Sequence, residues 1–536
     1  MISISELNLG FTDAENYQRR ENKELFNKIF VKNIFLQRLL NPSTFFLIGE
    51  KGTGKTAYAV FLANNVYNET KSVLKYIRET DYQKFILLKQ KEHLQLSDYT
   101  NIWKVIILLL LADTLDKTEL EHNPFSKTSK IRALKSAIDD YYCSAFSPEI
   151  ISALDWVEHS KVTAELISKK LKLGGEKSTD VKLHESRFQV NLMYIQRQFE
   201  SALNDIKLKN NRIIFIDGID IRPGTIPYHD YLECVKGLAN AIWSLNNDFF
   251  PKIRDSKGRF RAILLVRPDI FSTIAMQNTT NKIRDNSVFL DWRTTYPSYR
   301  TSQIFILSDK LLSSQQPESL ELGQAWDHYF PWTSYPTSPA RVHDPSFVNF
   351  LRISYSRPRD IVSIMQILQD EFNEKTSKSG NVFTEKDFNN KDFENKYSEY
   401  LMSSIKDQLA FYYNEKDYGM FLRFFSCLPG RRDFNYDEYV EAYNAFTDYV
   451  INHHTDIPEF IETPEKFLQF LYDTNIICFI EDTETEPLFR WCYRERSPSN
   501  MSPKVALHKR YRIHYGLGKA LNVGALELKR CKGGRL

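Results

Sequence analysis

The sequence predicts an α/β fold with a mainly parallel sheet, followed by a largely helical C-terminal half that ends in a two-stranded ribbon. Three observations carry this reading. Short, continuously apolar runs (TFFLI at 44–48, IIFI at 213–216, AILLV at 262–266) alternate with helical stretches, the pattern of strands covered on both faces. A glycine-rich loop, Gly49-Glu50-Lys51-Gly52-Thr53-Gly54-Lys55-Thr56, stands between the first run and a helix. Beyond about residue 295 the apolar runs give way to helices joined by polar, proline-containing loops.

Length and composition bound the rest. The chain has 536 residues, 42% apolar and 26% charged, an ordinary globular composition that excludes collagen-like, coiled-coil and disordered classes. The length suggests three or four domains. Six cysteines (Cys143, Cys234, Cys427, Cys478, Cys492, Cys531) are scattered, with no CxxC pair, which fits reduced thiols and not disulfides or zinc. The first residues show no basic stretch followed by an apolar one, so they are not read as a signal peptide. The most apolar run, VIILLLLA at 105–112, is far shorter than the ~20 residues that cross a bilayer. It is expected to be a buried core helix. No membrane partner and a cytoplasmic setting are therefore expected.

Taken in order, residues 13–41 read as one or two amphipathic helices within an N-terminal helical segment, 1–42, closed by Asn41-Pro42. Residues 43–295 form the α/β core. Its strands are expected at 44–48, 85–88, 213–216, 262–266 and 287–290, with helices after the glycine loop, at 102–115 and at 188–206. Residues 116–186 contain no clear strand and read as a helical insertion. Residues 296–405 are helical. From 406 to 536 come helices at 418–427, 435–453 and 464–474, then strands at 476–480 and 488–493 around the acidic turn EDTETEP. Three helices and a ribbon are the order of a winged helix.

The glycine loop matches GxxxxGK[ST]. Glycines let successive backbone N–H groups curl around phosphates, and a helix N-terminus adds the positive end of its dipole. Residues Gly49, Glu50, Lys51, Gly52, Thr53, Gly54, Lys55, Thr56 and Ala57 are thus the candidate nucleotide contacts. Lys55 would neutralise the β- and γ-phosphates, and Thr56 would offer its hydroxyl to Mg²⁺. The strand at 213–216 ends in Asp217, placed to complete the Mg²⁺ shell. Gly218 stands where a second acid, one that polarises the attacking water, is usual. Asp220 is its nearest substitute, or else a loop-stabilising aspartate, and hydrolysis is expected to be slow or dependent on an activator. No [NT]KxD loop is present, which favours ATP over GTP.

Three arginines are candidates for sensing the γ-phosphate. Arg267 follows the strand at 262–266 and either reaches the nucleotide or lies on the surface beside Asp269. Arg284 is either an arginine finger, in its own chain or into a neighbouring subunit, or a solvated side chain. Arg359 sits in Ser356-Arg357-Pro358-Arg359-Asp360, where Pro358 suits the first turn of a helix.

The segments AENYQRRE and LFNKIF before the loop, with GEKGTGKTA, IIFIDGID, LLVRPDIF, NSVFLDW and SRPRDI, together resemble the bacterial P-loop ATPases of the AAA+/STAND branch, akin to origin-recognition-type, KAP-type and FunZ-like proteins. The resemblance runs from about residue 10 to 372 and is weak within 116–186. The ribbon followed by YRIHYGLGKAL is similar to their C-terminal winged helix. It implies a P-loop core of the ASCE/AAA+ type, a helical lid at 296–405 in which Arg359 would touch the γ-phosphate, and an ATP-driven switch that assembles into homo-oligomers. Such proteins are frequently found in genes for defence against phage or mobile DNA, with the effector a separate protein encoded nearby.

An alternative is an ATP-dependent DNA-binding protein of initiator or transposition-helper type. The formal charge of +3 divides into +8 over residues 501–536 and −5 over the rest, and a Lys/Arg cluster supplies the salt-dependent attraction to phosphates. The acidic ribbon turn and the single lysine among two acids in TPEKFLQFLYDTN (463–475) oppose it. The sequence shows no Ser/His/Asp, metal-binding histidine or paired-carboxylate nuclease constellation.

Overall fold

A computed structural model describes residues 1–77, 96–115, 196–197, 200–201, 203–204, 206–222, 224, 226–254, 256–274, 284–335, 343–374, 380–428, 430–453, 457–484 and 487–523. The expected strand at 85–88, the insertion at 116–186 and the last basic residues, Lys529, Arg530, Lys532 and Arg535, lie outside them. The chain divides into two compact units. One comprises Ile34–Ile48 and Lys55–Phe289, the other Met1–Asn33, Gly49–Gly54 and Leu290–Leu536.

The first unit is built on a five-stranded, all-parallel sheet in the order β2-β3-β4-β1-β5. Its strands are β1 (Phe46–Ile48), β2 (Thr70–Tyr76), β3 (Asn211–Asp217), β4 (Phe260–Val266) and β5 (Ser287–Phe289). The interior strands are buried along almost their whole length, as continuous apolar runs require. From β1 the chain leaves for the far edge at β2, returns through β3 and β4, and ends at β5 on the other side of β1. The reversal of strand order at β1 marks the carboxyl ends of β1 and its neighbours as the place where a parallel sheet opens a crevice.

Strand β2 was not legible as an apolar run. It reads TKSVLKY, and after Thr70 its residues are only half-buried; among the described residues it is the outermost strand of the sheet. Helices α1 (Lys55–Asn64), α2 (Leu96–Asp113) and α3 (Tyr228–Ser244) belong to the same unit, with the shorter helices Ile34–Leu39 and Pro268–Thr273. The run at 105–112 lies in α2, where Val105, Ile106, Ile107, Leu108, Leu110 and Leu111 are buried. Trp103 Nε1 donates to the Cys234 carbonyl of α3 at 3.2 Å. Among the described residues no helix is long and apolar enough to cross a membrane.

Residues 13–41 hold the expected helices, Lys23–Ile29 in the second unit and Ile34–Leu39 in the first, while the residues that open the second unit are mostly non-helical. Residues 4–12 run as a strap along α4 (Pro358–Glu374), in the opposite direction. Gln369 Nε2 donates to the Ile4 and Leu7 carbonyls, both at 2.7 Å. Gln366 Nε2 donates to Gly10 O at 2.8 Å, and Arg359 Nε to Thr12 O at 3.0 Å. The opposite stripe of α4, Ile361, Ile364, Met365, Leu368 and Phe372, is buried, the 3.6-residue periodicity of an amphipathic helix. Helix α5 (Lys391–Leu409) follows, started by Asn390, whose side chain accepts from Asp392 N.

The C-terminal part contains α6 (Glu415–Cys427), α7 (Tyr436–His453) and α8 (Pro464–Asp473), in the expected order. Its sheet has four strands where the sequence suggested two. Strands β8 (Asp433–Asn435), β9 (Ile477–Glu481), β10 (Leu488–Trp491) and β11 (Arg510–Ile513) pair antiparallel in the order β10-β9-β11-β8. Two strands, β6 (Thr333–Ser334) and β7 (Asp344–Pro345), pair separately. Part of the basic C-terminal stretch is thus a sheet strand whose charges are met locally. Arg510 pairs with Asp482 at 2.5 Å, Arg512 with Asp433, and Lys519 with Glu394 at 3.1 Å.

Candidate functional site

In the parallel-sheet unit, β3 ends on Asp217 and α1 begins on Lys55. Thr56 Oγ1 donates to Asp217 Oδ2 at 2.6 Å. Asp217 and Lys55 are both buried, while Thr56, Ala57 and Asp220 are half-buried. Burial raises the Asp217 carboxyl above the ordinary carboxylate range. The charge of Asp220 adds to that shift, and Thr56, Lys55 and the Gly218 amide oppose it. A carboxylate desolvated in this way gains from a cation supplied beside it. Two hard oxygens in contact, one hydroxyl and one carboxylate, suit Mg²⁺.

The glycine after Asp217 has a steric cause. Gly218 holds φ at +90°, and a Cβ there would stand 2.5 Å from the Ile77 carbonyl oxygen. An acidic side chain has no room at this position. Its amide instead donates to Asp217 Oδ1 at 2.8 Å, fixing the carboxylate's rotation.

Arg267 is buried, not on the surface. Its guanidinium forms an ion pair with Asp269, with Nε donating to Oδ1 at 3.1 Å. Arg284 is highly exposed and lies just before β5. That is the amino-terminal edge of the parallel sheet, opposite the edge that carries Asp217. The fold therefore does not bring Arg284 to Asp217 within its own chain, which leaves the solvated side chain and the finger into a neighbouring subunit as its readings.

In the other unit, the loop Gly49–Gly54 is held from outside along its length. Arg357 Nη1 donates to Lys51 O at 2.9 Å, and the Arg359 amide to Gly52 O at 3.3 Å. Trp292 Nε1 donates to Thr53 O at 2.8 Å. Thr53 Oγ1 closes the turn by donating to Glu50 O at 2.8 Å. Two loop side chains are also tied down: Glu50 to Arg496 at 2.5 Å and Lys51 to Asp407 at 2.9 Å. A peptide plane whose carbonyl is held on one side presents its amide to the other. These bonds thus fix the orientation that an anion-cradling loop needs. Gly52 holds φ at +88°, and a Cβ there would meet the Arg359 Cβ at 3.1 Å.

Arg357, Trp292 and Arg496 were not singled out in the sequence. Arg357 is the centre of a buried network. Its Nε and Nη2 engage both oxygens of Asp360 at 2.9 and 2.8 Å. Asp360, fully buried, also accepts from Tyr355 N at 2.9 Å and Tyr400 Oη at 3.1 Å. Ser356 adopts a left-handed φ of 53° before it, a conformation costing about 1 kcal/mol for a non-glycine residue. Such a kink has no sequence signature beyond SRPRD itself. Arg359, the arginine singled out, is half-buried and places its guanidinium on Thr12 O.

His229, Asp230 and Glu233 bring ligand atoms within 4.8 Å of one another at the start of α3. His229 and Glu233 are a solvent-facing i,i+4 pair there, an ordinary arrangement for a helix surface. No family model, no curated protein and no solved structure matches this chain.

Proposed function

We propose that this chain binds ATP with Mg²⁺ through its Gly49-to-Thr56 loop, hydrolyses it slowly, and acts as a nucleotide-dependent switch. The observation that supports this reading best is the Thr56 Oγ1–Asp217 Oδ2 contact of 2.6 Å. It joins the last residue of a GxxxxGK[ST] motif to an aspartate at the carboxyl tip of a parallel strand, the two protein oxygens such a site uses for Mg²⁺. The sheet order supports the same reading, because the loop leaves the strand at which the order reverses. Lys55 supplies the charge for the phosphates. Arg359, at the start of α4 and against Gly52, is the γ-phosphate sensor of the reading. Asp220 orients the attacking water. The steric block at Gly218 accounts for slow turnover. Asp217 and Thr56 would hold a bound Mg²⁺, which would supply charge neutralisation at the phosphates.

By its resemblance to the AAA+/STAND branch, the switch is a homo-oligomer that passes its nucleotide state to a protein effector in defence against phage or mobile DNA. Support for the DNA-binding alternative is thin. Lys466, the single lysine of α8, pairs with Glu462 at 2.7 Å and Glu459 at 3.2 Å, and Arg510, Arg512 and Lys519 have carboxylate partners.

The site is tested by a hydrolysis assay on the full chain. Lys55→Ala is expected to remove turnover, and unchanged turnover refutes the assignment. The effector is tested by co-expression with the neighbouring gene products. Stable co-purification that changes with nucleotide supports the switch, whereas a salt-sensitive duplex affinity lost on truncation at residue 500 selects the DNA reading.

A further inference from the structure

The phosphate loop carries its own negative charge. Glu50 stands second in the loop, and a carboxylate there repels the anion that a glycine loop is shaped to receive. The side chain is poorly exposed, at 15%, and meets Arg496, at 4%, with Nη1 2.5 Å from Oε1. Arg496 follows β10 and the short helix Cys492–Glu495. It is fixed in turn by Nη2 donating to the Asp473 carbonyl at the end of α8, 3.2 Å away. The cation that meets Glu50 therefore comes from the C-terminal part of the chain, 446 residues away in sequence.

We propose that Arg496 is a positioning residue that sets nucleotide affinity by neutralising Glu50, so that the placement of the β10–α8 region controls how tightly the loop holds phosphate. The inference rests on the nucleotide-binding reading above. With Arg496 in place, the loop presents its amides and Lys55 to the anion with no uncompensated charge of like sign. With Arg496 withdrawn, the Glu50 carboxylate faces the phosphates in a poorly solvated setting, where repulsion between like charges is screened little. Any partner that pulls on β10 or α8 thereby changes nucleotide affinity, and bound nucleotide, by reciprocity, biases the same contact.

The test is calorimetric titration of the full chain with Mg·ATP and with ADP, with thermal melting of each variant as a folding control. Arg496→Gln is expected to weaken both nucleotides about tenfold or more. Glu50→Gln is expected to tighten them severalfold, since it removes the repulsion while Arg496 stays. In the double variant, Glu50→Gln/Arg496→Gln, most of the lost affinity returns, and melting recovers part of what Arg496→Gln alone loses, because no carboxylate is left without its cation. Arg496→Lys, which keeps the charge, retains most of the affinity. Unchanged affinity in Arg496→Gln, weaker binding in Glu50→Gln, or a double variant as weak as Arg496→Gln overturns the proposal. Absence of nucleotide binding in the wild-type chain overturns the binding reading itself, and with it this role; that outcome is told apart because it precedes any substitution.

Discussion

The Thr56 hydroxyl donates to Asp217 Oδ2 across 2.6 Å, although the two residues are 161 apart in sequence. The contact exists because β3 ends, and α1 begins, at the same edge of one parallel sheet. It places a buried carboxylate next to the hydroxyl of a GxxxxGK[ST] motif and gives the account its most direct structural support.

Replacing Asp217 with asparagine separates stability from function. Burial raises its carboxyl above the ordinary range, so at neutral pH the ionised form costs the folded state free energy in the absence of a cation. Asp217→Asn removes that cost, and the melting temperature of the nucleotide-free protein is expected to rise by roughly 2–4 °C. Hydrolysis is expected to disappear. A lower melting temperature in the variant contradicts the assignment of Asp217 as a destabilised, cation-seeking carboxylate.

Arg357 and Asp360 form the buried pair that carries the loop contact at Lys51. Arg357→Ala leaves the fully buried Asp360 carboxylate without its cation, a change that costs about 3–5 kcal/mol when a buried pair is broken. Urea unfolding measures it, and a loss below about 1 kcal/mol shows that the network is not a structural centre. Arg357→Lys recovers only part, because a lysine ammonium does not reproduce the two-oxygen fork.

His514 predicts an acid-sensitive C-terminal part. It is buried between the rings of Tyr355 and Trp491, and burial pushes its imidazole down to about 3. Its Nδ1 accepts from the Gly516 amide at 3.3 Å, which the protonated ring does not permit. The unfolded chain takes up this proton near the ordinary value of 6.5 while the folded chain does not. Stability is therefore complete above about pH 6.5 and falls as pH drops through the window down to about 3. The loss reaches about 3 kcal/mol by pH 4. His514→Gln is expected to flatten that part of the profile; an unaltered slope assigns the acid sensitivity elsewhere.

How much of this was legible in the sequence follows from what each element had to satisfy. Strands β1, β3 and β4 are apolar runs because both faces are covered, and the loop and Asp217 carry fixed residue types. Strand β2, outermost among the described strands and half-buried after Thr70, carries two lysines and lacks that signature. The paired strands β8 and β11 are short, and β11 reads RYRI, so their charges looked like a basic tail. Gly218 showed in the sequence only as a missing acid. Its cause, the approach of the Ile77 carbonyl, belongs to tertiary structure. Arg357, Trp292 and Arg496 act on backbone or side-chain groups of a loop far away in sequence, and no local pattern announces such contacts.

Arg284 gives a sharper prediction than its sequence context allowed. Exposed at the amino-terminal edge of the sheet, it has no structural load, and Arg284→Ala is expected to leave stability within about 0.5 kcal/mol. If it is a finger into a neighbouring subunit, hydrolysis falls at high protein concentration and is restored by mixing with Lys55→Ala protein, which retains Arg284. Lack of complementation removes Arg284 from the site.

The central claim is that the Gly49-to-Thr56 loop binds ATP. The most direct measurement is titration of the full chain with Mg·ATP, side by side with Lys55→Ala at equal folded fraction. The expected result is one saturable site per chain in the wild type and a loss of about a hundredfold or more in the variant, which lacks the ammonium that would meet the phosphates. No binding in the wild type, or equal affinity in the two proteins, contradicts it.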